Sequence, residues 1–281
     1  MTVVVKIGGA RAVDPAGAIG DVASLVEEGE EVVLSHGGST AVDDTLERLG
    51  MEPEYVETPD GVVGRFTDEE TMAVFEMVLA GRVNTELVAS LRSAGVDAVG
   101  LSGVDGGLLR GPRTAAVRVV EDGRKKIRRG DHSGRPEEVE DALLSALLDN
   151  GHTPVLGPPM AGIEDDGTVT PVNTDADRAA AVIAGALGAT LVLLTDVPGI
   201  LADPDDETTL LGTVASGEEW DRAEDAAEGF MERKLMAARE GLTGGASRVI
   251  VADANADAPV TAALDGSGTH IQPDALGVDT A

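Results

Sequence analysis

Short apolar runs that alternate with helical patterns are the feature that most limits how this chain can fold. Residues 3–7, 31–35 and 190–195 have the length and composition of buried strands, and segments of helical periodicity lie between such runs. Strands that alternate with helices in this way predict parallel strands joined by crossover helices. The expected fold is α/β, a three-layer α/β/α sandwich with a mostly parallel central sheet.

Local signals place further elements along the chain. Asp122-Gly123 is a strong turn pair and predicts a hairpin with strands at residues 115–120 and 125–129. Thr67 and Glu70 have the spacing of a capping box, so Thr67 is expected to cap a helix. The same patterns predict helices at residues 18–28, 67–81, 83–94, 136–150, 176–187 and 228–240, and strands at residues 96–101, 153–157 and 248–252.

The chain carries far more negative than positive charge. Its 281 residues include 51 acidic and 21 basic side chains, which gives a formal net charge of −30. Such a surface repels phosphate backbones, and one Trp, one Tyr and three Phe offer few rings for stacking bases, so a nucleic-acid partner is not expected. The acidic segments at residues 203–207 and 218–228 are expected to be solvated surface.

Residue types that are rare or missing limit the chemistry. Without cysteine the chain has no disulfide, no thiolate nucleophile and no cysteine-ligated zinc, and its four histidines argue against a multi-histidine metal site. We therefore expect no metal site built by the protein.

No stretch of the sequence approaches the length of about 18 uninterrupted apolar residues that a membrane span needs. A cytoplasmic location without membrane contact is expected.

Two glycine turns follow predicted strands. Lys6 precedes Gly8-Gly9 at the end of the first strand, and His36 precedes Gly37-Gly38 at the end of the second. Backbone N–H groups at such turns are uncovered and can cup an anion, although glycine also serves where a connection is merely tight. Since the carboxyl ends of neighbouring parallel strands face one crevice, the pair predicts an anion site there. Neither turn has the phosphate-loop or dinucleotide fingerprint, which disfavours those nucleotide folds and a nicotinamide dehydrogenase.

Six sequence blocks resemble the amino acid kinase family, and within it the N-acetylglutamate kinase branch, in family order over nearly the whole chain. The resemblance implies transfer of a phosphoryl group from ATP to a side-chain carboxylate, giving an acyl phosphate. It implies ATP and Mg²⁺ as cofactors, with magnesium held mainly by the phosphates, and a homodimer. It also implies a substrate-binding lobe over residues 1–165 and an ATP-binding lobe over residues 166–281. The blocks are residues 5–9, 36–38, 79–84, 100–103, 173–177 and 194–199.

The resemblance implies roles for individual residues. Lys6 would neutralise the transferred phosphoryl group, Lys234 would neutralise the leaving oxygens of ADP, and Asp177 would hold both ammonium groups. Plainer alternatives stay open, because Asp177 could simply favour a helix N-terminus, Lys234 a solvated helix face and Arg65 an ordinary surface. The other implied contacts are Gly8 and Gly9 with the phosphoryl group, Gly37 and Gly38 with the substrate, Arg65 and Asn173 with its α-carboxylate, and Thr195, Asp196 and Gly199 with the nucleotide.

Residues 110–135 are basic within an acidic chain. They include nine basic and three acidic residues, a local charge of +6. A solvated hairpin is the plainer interpretation, whereas the charge contrast favours docking of an acidic protein. The segment resembles the branch that acts on glutamate or 2-aminoadipate attached through its amino group to a small acidic carrier protein. The expected docking residues are Arg113, Arg118, Arg124, Lys125, Lys126 and Arg128.

The function expected from these features is ATP-dependent phosphorylation of the side-chain carboxylate of carrier-bound 2-aminoadipate or glutamate, in lysine or arginine biosynthesis. The two amino acids differ by one methylene, which is worth only about 1–3 kcal/mol of discrimination, so the sequence leaves both open. N-acetylglutamate kinase is the first alternative. A non-catalytic nucleotide sensor is a more remote one.

The charge excess generates a prediction about salt. At about 1 M salt the screening length is roughly 3 Å, so repulsion among the acidic groups is largely quenched. We expect the protein to keep its fold and its activity in molar KCl, as a halophilic cytoplasm would require. Circular dichroism and a turnover assay across a KCl series test this expectation, and loss of either property in molar KCl contradicts it.

Overall fold

A computed structural model of the chain describes residues 1–8, 15–59, 61, 63–121, 123–227 and 229–278, with the backbone alone at Glu121 and Phe230. The predicted site residue Gly9 and the predicted turn residue Asp122 lie outside these residues. The strands are β1 (Thr2–Ile7), β2 (Glu31–His36), β3 (Tyr55–Glu57), β4 (Val63–Arg65), β5 (Ala98–Gly103), β6 (Leu109–Glu121), β7 (Arg124–Gly134), β8 (Glu138–Val139), β9 (Thr153–Ile163), β10 (Val169–Val172), β11 (Thr190–Thr195), β12 (Thr213–Val214), β13 (Arg248–Asp253) and β14 (Thr269–Ile271).

The described strands form one large mixed sheet and the small hairpin β3–β4. The main sheet has the order β12-β14-β13-β11-β1-β2-β9-β6-β7, while β5 and β10 also pair with β9 and β8 pairs with β6. Its centre is parallel, because β1 lies parallel to both β11 and β2, and β9 lies parallel to β2, β5 and β6. The hairpin β6–β7 is antiparallel and longer than the sequence predicts.

Helices cover both faces of the sheet. Val3 and Val5 of β1 pack with the helices at Pro15–Glu27, Asn84–Ser93 and Pro259–Leu264. Val4 packs on the opposite face with the helices at Ala176–Ala186, Gly217–Ala226 and Phe230–Thr243. Successive side chains of a strand point to opposite faces, so both faces of β1 are buried. The predicted three-layer α/β/α fold is confirmed. The helices are α1 (Pro15–Glu27), α2 (Ser39–Arg48), α3 (Glu69–Phe75), a π-helix (Glu76–Val83), α4 (Asn84–Ser93), α5 (Asp141–Asp149), α6 (Ala176–Ala186), α7 (Gly217–Ala226), α8 (Phe230–Thr243) and α9 (Pro259–Leu264).

Two predicted helices are a single continuous run of α3, the π-helix and α4. Asp68 rather than Thr67 caps this run, because the Asp68 carboxylate accepts a hydrogen bond from the Thr71 N–H at 2.8 Å. A π-helix is rare and is frequently found at functional sites. Here its wider turns end directly before Asn84.

The expectation that residues 218–228 are only solvated surface is wrong. Most of this segment forms α7, and Trp220 and Ala223 bury one side of the helix. These two apolar residues, one turn apart, pack the helix against the core, although the other residues of the helix are mostly charged. Residues 203–207 are exposed, as predicted. Among the described helices, none combines the length and the apolar character needed to span a membrane.

The expected boundary between residues 165 and 166 lies in the turn between β9 and β10, which pair with each other. The main sheet continues across this point, since β1 lies between β2 of the first half and β11 of the second. The division into two lobes stays a prediction.

Candidate active site

Two lysine ammonium groups meet at one buried carboxylate. Lys6 Nζ lies 2.6 Å from Asp177 Oδ1, and Lys234 Nζ donates a hydrogen bond to Asp177 Oδ2 at 2.9 Å. The three residues are buried, with 6%, 8% and 7% of the surface of Lys6, Lys234 and Asp177 exposed. The structure therefore brings together the three residues that the sequence proposed as a catalytic group, although β1, α6 and α8 are far apart in the chain.

The balance of charge in this group is positive. Burial by itself raises the pKa of the Asp177 carboxyl, but the ammonium groups of Lys6 and Lys234 outweigh burial and lower the pKa to about 2. One carboxylate thus neutralises only one of the two ammonium groups. An uncompensated buried charge is costly, so an anion bound beside these lysines would be stabilised.

The local structure explains how Lys6 and Asp177 meet. Because side chains alternate along β1, Lys6 points to the same side as Val4, the side that α6 and α8 cover. Asp175 caps α6 by accepting hydrogen bonds from the N–H groups of Asp177 at 2.9 Å and Arg178 at 3.1 Å. Asp177 therefore lies in the first helical turn, where the helix dipole favours a carboxylate. This placement fits the helix-dipole interpretation of Asp177, and its catalytic role stays a prediction.

A second ion pair joins α6 to α8. Arg178 Nε and Nη2 donate to Glu240 Oε2 and Oε1 at 2.8 and 2.7 Å, a bidentate arrangement. Arg135 also reaches Glu240 Oε1, at 3.2 Å. Arg178 directly follows Asp177, and Glu240 lies on the same helix as Lys234. The pair thus fixes the spacing of the two helices that bear catalytic candidates.

The predicted glycine turns lie at the ends of neighbouring strands. Gly8 follows β1 and Gly37-Gly38 follows β2, and the Gly37 N–H donates to Ile7 O at 3.4 Å. A Cβ on Gly38 would lie 2.6 Å from Leu79 Cδ2, so a larger residue would displace the π-helix side chain packed there. Gly8 and Gly37-Gly38 therefore lie at the carboxyl edge of the sheet, as predicted.

Residues 131–134 join the segments that carry Arg65 and Asn173. The His132 N–H donates to Thr67 O at 2.7 Å, and His132 O accepts a hydrogen bond from the Asn173 N–H at 2.8 Å. On either side of this residue, the Asp131 carboxylate accepts from the Thr67 N–H at 2.9 Å, and the Gly134 N–H donates to Asn173 O at 2.9 Å. The base of the basic hairpin therefore connects both predicted contacts for the substrate's α-carboxylate.

Arg65 is not an ordinary surface arginine, because its side chain is only 9% exposed. Its Nη2 pairs with Asp43 and donates to the Tyr55 hydroxyl at 2.9 Å, while its guanidinium stacks against the rings of Tyr55 and Phe75. Arg65 Nη1 is buried and has no hydrogen-bond partner among the described residues. Buried donors are normally paired, so this nitrogen has unused hydrogen-bonding capacity.

The predicted nucleotide segment adjoins a cleft that the sequence did not predict. Thr195 is buried at the end of β11, Asp196 is exposed, and a Cβ on Gly199 would lie 2.7 Å from Leu210 Cδ1. Leu210 also lines a cleft of about 340 Å³, a size within the range of small-ligand sites. Within the described residues no group of three or more His, Cys, Asp or Glu side chains is placed to hold a metal ion. The cleft is lined by residues 208–214 with Glu219 and Arg222.

The basic hairpin presents one exposed face that combines positive charge with an apolar side chain. Arg118 lies opposite Ile127 in the strand register, and residues two apart on a strand share a face, so Lys125 and Arg129 flank Ile127. All four are exposed, and Ile127 is 64% exposed. We call Arg118, Lys125, Ile127 and Arg129 the hairpin face.

The other predicted docking residues lie outside the hairpin face. Arg113 Nη1 pairs with Glu164 at 2.5 Å, and Arg128 donates to both carboxylate oxygens of Glu54 at 2.6 and 2.8 Å. These two guanidinium groups already bind carboxylates of the same chain. Arg124 and Lys126 are exposed on the opposite side of the β6–β7 ribbon from the hairpin face.

Sequence reasoning missed three residues. Ile127 and Arg129 could have been found from the two-residue period of strand β7, which places them on one face with Lys125. Asn84 belongs to a block that carries the family resemblance, yet nothing local signals its role. The acceptors that it meets lie in β2, β5 and β9, so only the fold brings them together.

Comparisons with known proteins agree with this fold. The model of the amino acid kinase family matches residues 1–253. Over 276 residues the chain is 43% identical to a LysW-aminoadipate kinase of Thermus thermophilus, covering 96% of this chain and 100% of that protein. Over 278 residues it is 41% identical to an acetylglutamate kinase of Methanopyrus kandleri, covering 96% of this chain and 99% of that protein.

Solved structures show the same fold. An N-acetylglutamate synthase from Neisseria gonorrhoeae, complexed with coenzyme A and N-acetyl-glutamate, is similar with a TM-score of 0.74 and 28% identity. The match covers 96% of this chain, which spans 59% of the length of that synthase chain. The α/β fold, in which the buried Lys6 and Lys234 meet at Asp177, and the kinase relatives together define a phosphotransferase. The chain belongs to the amino acid kinase family.

His36 generates a prediction about stability and pH. Burial lowers the pKa of His36 from 6.5 to about 4, although a hydrogen bond to Gly37 O at 3.1 Å opposes the shift. The unfolded ring binds a proton at a pH where the folded ring stays neutral, so stability present above the unfolded pKa is lost as the pH falls toward the folded pKa. We expect the free energy of unfolding to fall by about 2 kcal/mol from this group between about pH 7 and about pH 5.

Urea denaturation of the wild type and of His36→Asn at both pH values measures this contribution. The difference between the two proteins should be larger at the higher pH. An identical pH dependence in both proteins contradicts the assignment.

Proposed function

We propose that the protein transfers the γ-phosphoryl group of ATP to the side-chain carboxylate of 2-aminoadipate or glutamate carried by an acidic amino-group carrier protein, for lysine or arginine biosynthesis. The observation that carries this proposal is the convergence of Lys6 and Lys234 on Asp177. Phosphoryl transfer needs positive charge placed around the moving group more than it needs covalent help.

A triphosphate fits this group by charge and by hydrogen-bonding capacity. The lysines carry one positive charge more than Asp177 neutralises, and an ammonium group has further N–H donors for phosphate oxygens. Residues 195–199 and the cleft beside Gly199 would hold the nucleoside. Mg²⁺ would be held mainly by phosphate oxygens and waters, as is usual where this ion accompanies a nucleotide.

The chemistry asks little of the protein beyond position and charge. ATP supplies the γ-phosphoryl group; an oxygen of the acceptor carboxylate forms a bond to phosphorus, and the bond to the β,γ-bridging oxygen breaks, giving an acyl phosphate and ADP. The carboxylate is already ionised, so no general base is required. Lys6 stabilises charge on the transferred group, Lys234 stabilises charge on the leaving oxygen, and Asp177 holds both ammonium groups in place.

The hairpin face favours a carrier-bound substrate over free N-acetylglutamate. Relatives named for each substrate have 43% and 41% identity, so identity alone does not separate the two. Arg118, Lys125 and Arg129 surround the exposed Ile127 in a chain whose net charge is −30. Such a surface matches an acidic protein that also offers an apolar contact.

The connection between the hairpin and the site supports the same choice. The base of the hairpin binds the Thr67 segment and Asn173 through backbone hydrogen bonds. A carrier docked on the hairpin face would therefore bring its bound amino acid to a site near Arg65 and Asn173. Strand β7, which carries part of the hairpin face, also supports this site through these hydrogen bonds. Free N-acetylglutamate has no use for this surface.

A substrate comparison tests the proposed function. The protein is incubated with MgATP and carrier-bound aminoadipate, carrier-bound glutamate or free N-acetylglutamate, and acyl phosphate is trapped with hydroxylamine. We expect hydroxamate and ADP with a carrier-bound substrate at a higher kcat/KM than with N-acetylglutamate. Turnover of N-acetylglutamate alone would support the alternative kinase, and nucleotide binding without any turnover would support the sensor.

Replacing the catalytic candidates should lower kcat. Lys6→Ala, Lys234→Ala and Asp177→Asn each remove or misplace a charge that acts on the transferred group, and we expect kcat to fall by about 10²–10³-fold. Arg239→Ala is the matched control, since it removes an exposed cation from the same helix as Lys234. A folded Lys234→Ala protein with wild-type kcat would contradict the assignment.

Reversing charge on the hairpin face should weaken carrier binding. We expect Lys125→Glu combined with Arg129→Glu to raise the KM for the carrier-bound substrate by about tenfold or more, with little change in kcat, because the charges act on association. Arg48→Glu combined with Arg82→Glu makes the same change in net charge at exposed positions elsewhere. Equal KM values for the two double variants would contradict docking at this face.

The family resemblance and the charge also support a homodimeric, cytoplasmic and salt-adapted enzyme. Light scattering coupled to size-exclusion chromatography in molar KCl tests the dimer. A monomeric mass under conditions of full activity would contradict it.

A further inference from the structure

We propose that Asn84 and His36 are positioning residues that hold the peptide between Gly37 and Gly38 in one orientation, so that the Gly38 N–H faces the negative charge of the transferred phosphoryl group. The family resemblance assigned Gly38 to the substrate, and this orientation assigns its N–H to the group that the substrate receives. The proposal rests on the phosphoryl transfer proposed above. It gives a role to a buried histidine and a buried asparagine that the mechanism does not otherwise use.

The orientation of the Asn84 side chain is fixed by its acceptors. Asn84 is 5% exposed, and its Nδ2 lies 2.9 Å from Val155 O and 3.3 Å from Leu101 O. Carbonyl oxygens only accept hydrogen bonds, so the NH₂ group and not the amide oxygen faces them. The amide oxygen lies against Gly100, where a Cβ would be 2.1 Å from it.

The Asn84 amide in turn selects the tautomer of His36. Asn84 Nδ2 lies 3.0 Å from His36 Nε2, and an NH₂ group can only donate there, so Nε2 accepts. The proton of the neutral ring is then on Nδ1, which donates to Gly37 O at 3.1 Å. Burial supports the neutral form by lowering the pKa of His36 to about 4. The ring also lies close to Gly157, where a Cβ would be 2.4 Å from Cε1.

The hydrogen bond to Gly37 O sets the direction of the next N–H. In a trans peptide the C=O and N–H groups point in opposite directions, so the Gly38 N–H points away from the His36 ring. None of the described residues accepts a hydrogen bond from this N–H. Gly38 is also the N-cap of α2, so the group lies at the positive end of a helix.

The chain of hydrogen bonds from Asn84 through His36 to Gly37, here called the relay, lies beside the proposed site of phosphoryl transfer. Ile7, the neighbour of Lys6, pairs with His36 across β1 and β2, and the positive charge of Lys6 acts on the His36 ring. A donor that is fixed before the reaction stabilises developing charge without having to turn during it. The expected benefit is therefore in kcat and not in the binding of either substrate.

A matched pair of variants tests the relay. The side chains of Asn and Leu have similar shapes, and both variants lose the contact between residue 36 and Asn84. Only His36→Asn can still donate a hydrogen bond to Gly37 O. We expect His36→Leu to lose roughly 10- to 100-fold in kcat relative to His36→Asn, with KM for MgATP and for the carrier-bound substrate similar in both. Equal kcat in the two folded variants, or a loss confined to KM, would overturn the proposal.

A measurement on the unmodified protein keeps the proposal testable if His36→Leu does not fold. Long-range ¹⁵N–¹H correlation spectra, assigned with His36→Asn, should show the His36 proton on Nδ1 and a non-protonated Nε2. A proton on Nε2 would overturn the relay. If the wild type forms no acyl phosphate, the proposed function fails, whereas an active wild type with the opposite tautomer contradicts the relay alone.

Discussion

The carboxylate that Lys6 and Lys234 share is the interaction on which the site depends. Moving a charge from water into a protein interior costs several kcal/mol even after relaxation, and three charges are buried here. Asp177 offsets part of that cost and separates two like charges that would otherwise repel each other at close range. Its single negative charge leaves one positive charge uncompensated, so the same residue that permits burial of the lysines leaves the site suited to a phosphate.

The sheet topology makes this convergence possible. Parallel strands end at one edge, so Gly8 after β1 and Gly37 after β2 are neighbours, and the alternation along β1 turns Lys6 toward α6 and α8. The Arg178–Glu240 pair joins those helices beside the catalytic candidates, and Arg135 joins the end of the hairpin to the same carboxylate. Charge placement, glycine turns and the proposed docking surface are therefore braced by one connected set of elements.

The sequence predicted the parts of the fold that local patterns encode. The apolar run at residues 190–195 coincides with β11, and the three-layer architecture follows from the alternation of strands and helices. Local patterns did not predict elements whose formation depends on tertiary contacts. An example is α7, which is mostly charged and is held on the core by Trp220 and Ala223. The continuity of α3, the π-helix and α4 was also missed, and so were the contacts of Asn84 with β2, β5 and β9, because neither has a local signature in the sequence.

The site shows the same division. Lys6 and Asp177 could be proposed because family blocks include them, and Lys234 because it has the family's spacing after Gly229-Phe-Met. The sequence could not show that Arg113 and Arg128 bind acids of their own chain. Exposure of Ile127 between cations follows from the register of a long hairpin, whose length exceeded its pattern in the sequence.

Aluminium fluoride is a planar mimic of the phosphoryl group in the transition state of its transfer. Its binding together with MgADP tests most directly whether Asp177 holds two cations around that group. Calorimetric titration of the wild type should show that fluoride complexation tightens MgADP binding. In folded Asp177→Asn most of this gain should disappear, while binding of MgADP alone changes less. An undiminished gain in the variant would contradict the role of the shared carboxylate.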